Sequence, residues 1–295
     1  MAMYGIAIVN QCVGHNAYKI KRLNEEFEKL NIRLDIFVNN GTLACMREGK
    51  IKFNLPEANF VLYFDKDIYL ARLLEKGGYR LFNCADFIKL CDDKMLTFIA
   101  LANAGFKMPK TIAGPLVYTD KLEEKNYEFL DNAINELSLP MVVKKVYGSL
   151  GEGVYLVNNK EELKSLYGKI FRNPIIFQEY IASSFGKSIR VLIIDGKVFG
   201  GFIRFNSADF RSNFGETASS KPLEKNDKCF VFAQRVADYL NIEYAGIDFL
   251  LGDNDEPYLC EINSNAFFEE FEKVTNLNVA KAIAEMIIRK VNKHE

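Results

Sequence analysis

Three oxygen donors stand near the C-terminal end of the chain: Asp248 in Gly246-Ile247-Asp248-Phe249-Leu250-Leu251, then Glu261 and Asn263 in Tyr258-Leu259-Cys260-Glu261-Ile262-Asn263. The turn between the two runs is rich in Gly, Asp, Asn and Pro, so the segment predicts a β-hairpin. Alternate side chains of a strand share a face, which aims Glu261 and Asn263 the same way, and a register that sets Asp248 opposite them gathers all three. Two carboxylates and an amide oxygen are a hard donor set that suits Mg²⁺, with phosphate oxygens and water completing the shell. By the same alternation Cys260 is expected on the opposite face, packed in the core.

A second chemical signal lies upstream. The apolar run Pro140-Met141-Val142-Val143-Lys144-Lys145-Val146 leads into Tyr147-Gly148-Ser149-Leu150-Gly151-Glu152-Gly153-Val154-Tyr155. This reads as strand, glycine loop, strand. Residues without a β-carbon let backbone N–H groups approach phosphate oxygens. The P-loop is excluded, because there the loop opens a helix and its lysine follows the glycines, whereas Lys144 precedes them. Farther on, Asp195-Gly196 marks a tight hairpin that puts Arg190 and Arg204 on neighbouring strands, and Asp209-Phe210-Arg211-Ser212-Asn213-Phe214-Gly215 forms a polar loop.

The elements that must position these residues alternate between strand and helix. Tyr4–Asn10 and Ile32–Val38 read as strands around a charged helix over about 17–31, the beginning of a parallel α/β unit. Phe60–Phe64 is a buried strand, Ile68–Lys76 a helix stopped by Gly77-Gly78, and Arg80–Asn83 a short strand. A first domain closes near residue 90. Its first loop, Asn10–Asn16, lacks the glycine fingerprint of dinucleotide folds. From Asp92 follow a helix over Lys94–Asn103, breakers at Gly105 and Pro109, a strand near Lys110–Ala113, a helix around Tyr127–Leu137 and, after the glycine loop, a strand at Ile175–Ile181. A helix over Lys228–Leu240 precedes the metal hairpin, and the last helix covers Val279–Lys293. The expected division is 1–90, 91–181 and 182–295.

Composition narrows the function. The 295 residues suffice for about two domains, and 38 basic against 39 acidic side chains leave a formal charge of −1. Bulk electrostatics thus point to neither nucleic acid nor a membrane surface. The 2 histidines, His15 and His294, make histidine acid/base or nucleophilic chemistry an unpromising route. Six cysteines without a Cys-x-x-Cys pair support neither a zinc site nor a disulfide framework, and reduced, mostly buried thiols are expected. No secretory leader pattern opens the chain and no run of about 18 apolar residues occurs, so a cytoplasmic protein is expected.

Taken in order, Asp92-Asp93-Lys94, Pro140-x-Val142-x-Lys144, Gly148-Ser149-x-Gly151-x-Gly153-Val154, Gln178-Glu179-Tyr180-Ile181, Ile189-Arg190, Asp209-Phe210-Arg211-Ser212-Asn213, Gly246-x-Asp248 and Glu261-x-Asn263 resemble the ATP-grasp superfamily, specifically RimK-type α-L-glutamate (amino-acid) ligases. The likeness runs from about residue 83 to the end. It implies an α/β (α+β) ATP-grasp fold behind an N-terminal parallel α/β domain. It also implies ATP with Mg²⁺, or Mn²⁺, as cofactors, and a dimer or tetramer as a common assembly.

The resemblance further assigns roles. Lys94 and Lys144 would reach the nucleotide phosphates as mobile point charges. Gly148, Ser149, Gly151 and Gly153 would form the flap over them. Glu179, Tyr180 and Ile181 would be the hinge that holds adenine. Arg190 and Arg211, with Asn213 beside them, would neutralise the transferred phosphate and a bound carboxylate, and Asp248, Glu261 and Asn263 would hold the metal. The chain departs from the family at Ser188, where an aspartate usually holds the ribose, at Gly215-Glu216-Thr217-Ala218, and at Ser264-Asn265-Ala266 after Asn263. The last two departures fall where an acceptor would bind.

The implied reaction is an ADP-forming ligation: a carboxylate is phosphorylated to an acylphosphate, which an amine then attacks to give an amide. The amine would be an amino acid, often glutamate, and the acceptor a carboxylate on a peptide, a protein tail or a small metabolite. Two other readings stand beside it, an ATP-binding regulatory protein without ligase activity and a carboxylate kinase. Asp65-Lys66-Asp67 reads equally as a substrate-orienting turn or as a solvated one.

Overall fold

The computed structural model describes residues 3–213, 219–224 and 227–293; the departure expected at 215–218 and His294 lie outside them. The all-apolar runs Tyr4–Val9 (β1) and Phe60–Phe64 (β5) are buried on both faces, as parallel strands between helices must be. They pair in parallel with Arg33–Val38 (β2) and Leu81–Phe82 (β6) in the order β2-β1-β5-β6. Helices Gly14–Lys29 (α1), Ile68–Lys76 (α2) and Ala85–Asp92 (α3) connect or follow them. A small hairpin that the sequence reading passed over, Ala44–Arg47 (β3) with Lys50–Phe53 (β4), stands apart.

Asp93 starts the next helix, Lys94–Leu101 (α4), by accepting a hydrogen bond from Leu96 N. Beyond it, Thr111–Ala113 (β7), Met141–Lys145 (β8), Val154–Val157 (β9) and Ile175–Glu179 (β10) form an antiparallel sheet in the order β7-β10-β8-β9, packed on Glu128–Leu137 (α5) and Lys160–Ile170 (α6). The glycine loop joins β8 to β9.

A third sheet, order β13-β12-β11-β14-β15, is antiparallel and covered on both sides. It contains Lys187–Ile194 (β11), Lys197–Phe205 (β12), Ser219–Pro222 (β13), Tyr244–Leu251 (β14) and Pro257–Asn263 (β15). One face packs on Lys228–Leu240 (α7) together with Cys91, Leu101 and Phe106. On the other face Leu192, Phe202 and Tyr244 join Glu269–Thr275 (α8) and Val279–Asn292 (α9) in a core that continues into Phe27 of α1 and Phe60 and Phe64 of the first sheet. The Asn83 amide ties the two units by donating to the carbonyls of Tyr244 and Ser264, each at 2.8 Å.

Two expectations need correction. Cys12, Cys45 and Cys84 are exposed, so the thiols are not mostly buried. Cys260 does not lie on the far face of its strand: the β14–β15 register slips between Asp248 and Phe249, leaving Cys260 as the extra residue of a bulge. Among the described residues no helix is long and apolar enough to cross a membrane.

Candidate functional site

The register of the third sheet builds a row of charge. Arg190 on β11 lies opposite Asp248 on β14, and Asp248 opposite Glu261 on β15, with Asn263 paired to Gly246 one step along the same face. Two carboxylates directly opposite each other repel. Here Arg190 offsets that by donating to both Asp248 oxygens at 2.7 and 2.5 Å. The Lys94 ammonium stands 3.7 Å from Glu261, and Asn263 Nδ2 donates to Asp248 at 3.2 Å. Burial opposes the Arg190 charge, yet the Asp248 carboxylate outweighs it and holds the guanidinium above its ordinary value. The donor set of two carboxylates and an amide, beside anchored cations, fits a Mg²⁺ that shares phosphate oxygens.

A deep cleft opens over this row between the second and third sheets. Its walls include Lys94, Lys144, Gly148, Ser149, Gly151, Glu179, Tyr180, Ile181, Arg211, Asn213, Asp248 and Glu261. Both lysines are buried, Lys94 donating to the carbonyl of Gly148 at 3.0 Å and Lys144 pointing at the Cys260 sulfur at 3.6 Å. Cys260 thus lines the cleft beside Glu261. Burial raises its thiol pKa, against the pull of Lys144. Gly148, Gly151 and Gly153 all have positive φ, the backbone that a glycine flap needs. Gly153 is absent from the cleft lining, and a Cβ added there would meet the Lys145 side chain at 3.0 Å.

At the far end Glu179 is held in place by the neighbouring strand: its Oε1 accepts from Lys110 N at 2.8 Å and its own N–H donates to Lys110 O at 3.0 Å. The Tyr180 ring meets Phe210 edge-on. Ser188 lines the cleft with its hydroxyl against that of Ser212, a neutral pair. Arg211 forks onto Asp209 at 3.0 and 2.8 Å and reaches the carbonyl of Gly151 at 3.2 Å, linking the polar loop to the flap. Its hydrogen bonds hold Asp209 below, and Asp209 in turn holds Arg211 above, their ordinary values.

A second cavity shares Ser149, Gly151, Arg204, Asn213, Asp248 and Glu261 with the cleft and extends to the N-terminal part of the chain. Arg190 and Asn263 face this side, joined by His15, Lys66, Glu270 and the segment Ser264–Phe267. Lys66 pairs with Asp92. Asp65 and Asp67 serve the turn itself, accepting from Asn39, and Asp67 caps α2. Arg204 binds Glu270 at 2.9 and 2.5 Å, and Ser220 donates to it at 2.6 Å. Sequence reasoning overlooked Glu270 and, behind the wall, Lys19, and named Asn265 only within the departure that follows Asn263. All three owe their position to contacts between distant segments, and α8 follows β15 without a turn signal.

The three-sheet architecture, with a glycine loop and a carboxylate row facing one cleft, defines an ATP-grasp protein. The family model for the RimK-like ATP-grasp domain matches residues 91–287, and the chain belongs to that family. It is 30% identical over 286 residues to an uncharacterized protein of Mycoplasma pneumoniae, covering 95% of this chain and 96% of that one. It is 30% identical over 280 residues to the beta-citrylglutamate synthase B of Homo sapiens, with 91% and 71% covered. With the coenzyme gamma-F420-2:alpha-L-glutamate ligase of Methanocaldococcus jannaschii it shares 28% over 279 residues, 90% and 92% covered. Among solved structures, a RimK domain ATP-grasp protein from Sphaerobacter thermophilus superposes with a TM-score of 0.72 at 18% identity over 97% of this chain and 99% of that one. The D-alanine–D-alanine ligase of Bacillus anthracis complexed with ATP gives 0.73 at 21% over 100% of both. The family is one of ATP-dependent ligases that use divalent metal, and its members related to this chain include glutamate ligases.

Proposed function

We propose that this chain is an ADP-forming carboxylate–amine ligase that joins an amino acid, with glutamate the first candidate, to a carboxylate acceptor through an acylphosphate. The single observation that supports it best is the register of Arg190, Asp248 and Glu261 on adjacent strands, with the two carboxylates lining one cleft together with Lys94, Lys144, Gly148 and Gly151. Two opposed carboxylates suit a metal ion that neutralises charge during in-line phosphoryl transfer, which a site that only binds a nucleotide does not require.

In this reading the chain divides at about 90 and 181, with ATP between the second and third parts and the acceptor facing the first. Glu179, Tyr180 and Ile181 border the adenine, and Lys94 and Lys144 bind the phosphates. Mg²⁺ on Asp248, Glu261 and Asn263 would neutralise phosphate charge when bound. An acceptor carboxylate oxygen attacks the γ-phosphorus and the bond to ADP breaks. Arg190 and Arg211, with Asn213, stabilise the charge on the phosphoryl oxygens. The amine nitrogen then attacks the acyl carbon, phosphate leaves, and the nitrogen gives up a proton as the amide forms. The flap Gly148–Gly153 keeps water from the acylphosphate.

The test is ADP release from Mg-ATP with single amino acids over a panel of acceptor carboxylates, with Glu261→Ala as control. Release that needs both amine and acceptor, and disappears in the control, supports the ligase. Release independent of any amine would make the protein a carboxylate kinase.

A further inference from the structure

Lys19 on α1 is the most deeply buried lysine among the described residues, 1% exposed. Its ammonium sits 4.4 Å over the Phe64 ring and 5.0 Å from that of Phe267, with Phe268 also near. Its hydrogen bond goes to Oδ1 of Asn265. Among the described residues no carboxylate forms an ion pair with it. An ammonium taken out of water without a counter-charge is costly, and aromatic faces return only part of the loss. Nothing in the packing of α1 against the sheet demands a lysine, because a methionine would fill the same aromatic cage.

The position gives it a use. Asn265 lines the second cavity, and its other amide group donates to Phe64 O at 2.8 Å, so Lys19 and Phe64 together lock the side chain. Phe267, another aromatic of the cage, lines the same cavity and lies tilted against the His15 ring, with centroids 5.0 Å apart. The wall that the N-terminal part presents to the acceptor thus has His15 and Lys66 on its surface and Lys19 behind it. The acids around the cavity each have a cation: Glu269 lies against His15 and Lys273, Asp92 against Lys66, Glu270 against Arg204 and Asp248 against Arg190, while Glu261 stands 3.7 Å from Lys94.

We propose that Lys19 is a positioning residue that sets the acceptor subsite, fixing Asn265 in its wall and placing positive charge behind it, and so selects an acceptor with negative charge beyond the carboxylate being activated. This rests on the ligase reading for the acceptor's identity, but not for the existence of an anion subsite. Burial pulls Lys19 down to about 7, so an anion in the cavity would hold it charged at neutral pH.

Binding of citrate and of propionate to the Mg-ADP-loaded protein, followed by calorimetry, tests the subsite directly. Wild type is expected to bind citrate at least tenfold more tightly than propionate. Lys19→Met is expected to lose about tenfold in citrate affinity with Mg-ADP affinity unchanged within twofold and a thermal midpoint no lower than wild type. Lys19→Arg, which keeps the charge and a donor, should recover part of the citrate affinity. Equal citrate affinity in wild type and Lys19→Met, parallel loss of citrate and Mg-ADP, or a wild type that fails to prefer citrate would overturn the proposal. Charge-selective binding without amine-dependent ADP release would leave the subsite standing and remove the ligase reading.

Discussion

Arg190 grips Asp248 through both carboxylate oxygens, at 2.7 and 2.5 Å, across adjacent strands and largely out of water. The pair stands in register with Glu261, so the sheet carries one cation and two anions in line. Asp248 therefore has two tasks: it neutralises a buried guanidinium and belongs to the proposed metal set. Glu261 has no such structural debt, since its nearest cation, Lys94, stands 3.7 Å off.

The two carboxylates should separate on mutation. Asp248→Asn leaves Arg190 buried with a neutral partner and is expected to cost about 3 kcal/mol of stability. Glu261→Gln, on a partly exposed side chain, should stay within about 0.5 kcal/mol. Both should reduce ADP release about 100-fold or more. Urea unfolding beside a coupled ADP assay checks this, and equal stability of the two variants would contradict the dual role of Asp248.

Glu270 offers a pH test. Burial opposes its ionisation, but the hydrogen bond and charge of Arg204, with the Ser220 hydroxyl, hold its carboxyl below the ordinary 4.5. A carboxyl depressed by folding stabilises above its unfolded pKa, and that contribution is lost as pH falls through the folded value. The thermal midpoint of Glu270→Gln should therefore lie below wild type at pH 7, and the gap should close toward pH 3.5. A gap of constant size would mean that the ion pair contributes nothing through its charge.

The glycines of the flap should divide by position. Gly151 (φ 77°) borders the cleft, whereas Gly153 (φ 71°) faces the Lys145 side chain. Alanine at either enters the left-handed region at about 1–2 kcal/mol. Gly153→Ala should lose that stability and keep Mg-ATP affinity within about threefold, while Gly151→Ala should lose both; nucleotide titration of the two variants decides.

The β14–β15 hairpin was legible because alternation and a turn signal are local properties, and they brought Asp248, Glu261 and Asn263 to one face. The same rule misplaced Cys260, because a bulge has no residue-type signature that a strand of Tyr, Leu and Cys reveals. Lys19 escaped for another reason. On a helix with charged neighbours it reads as one more solvated lysine, and only the approach of Phe64 and Phe267 from distant segments buries it. Lys94 and Lys144 were assigned through the family resemblance, and their burial is likewise tertiary.

That burial makes Lys19 the residue whose removal should stabilise the fold. Its pKa falls from 10.5 to about 7 because of desolvation. Between those values the unfolded chain binds the extra proton and the folded chain does not, so stability rises with pH across that window. Below about 7 the folded protein holds an ammonium without a counter-charge and bears the whole penalty, on the order of a few kcal/mol. Lys19→Met should therefore unfold at a higher temperature than wild type at pH 6, with the advantage shrinking steadily toward pH 10. If the advantage were flat with pH, or reversed, the ammonium would have to be compensated in the folded state, and the charge available to an acceptor behind the Asn265 wall would already be spent.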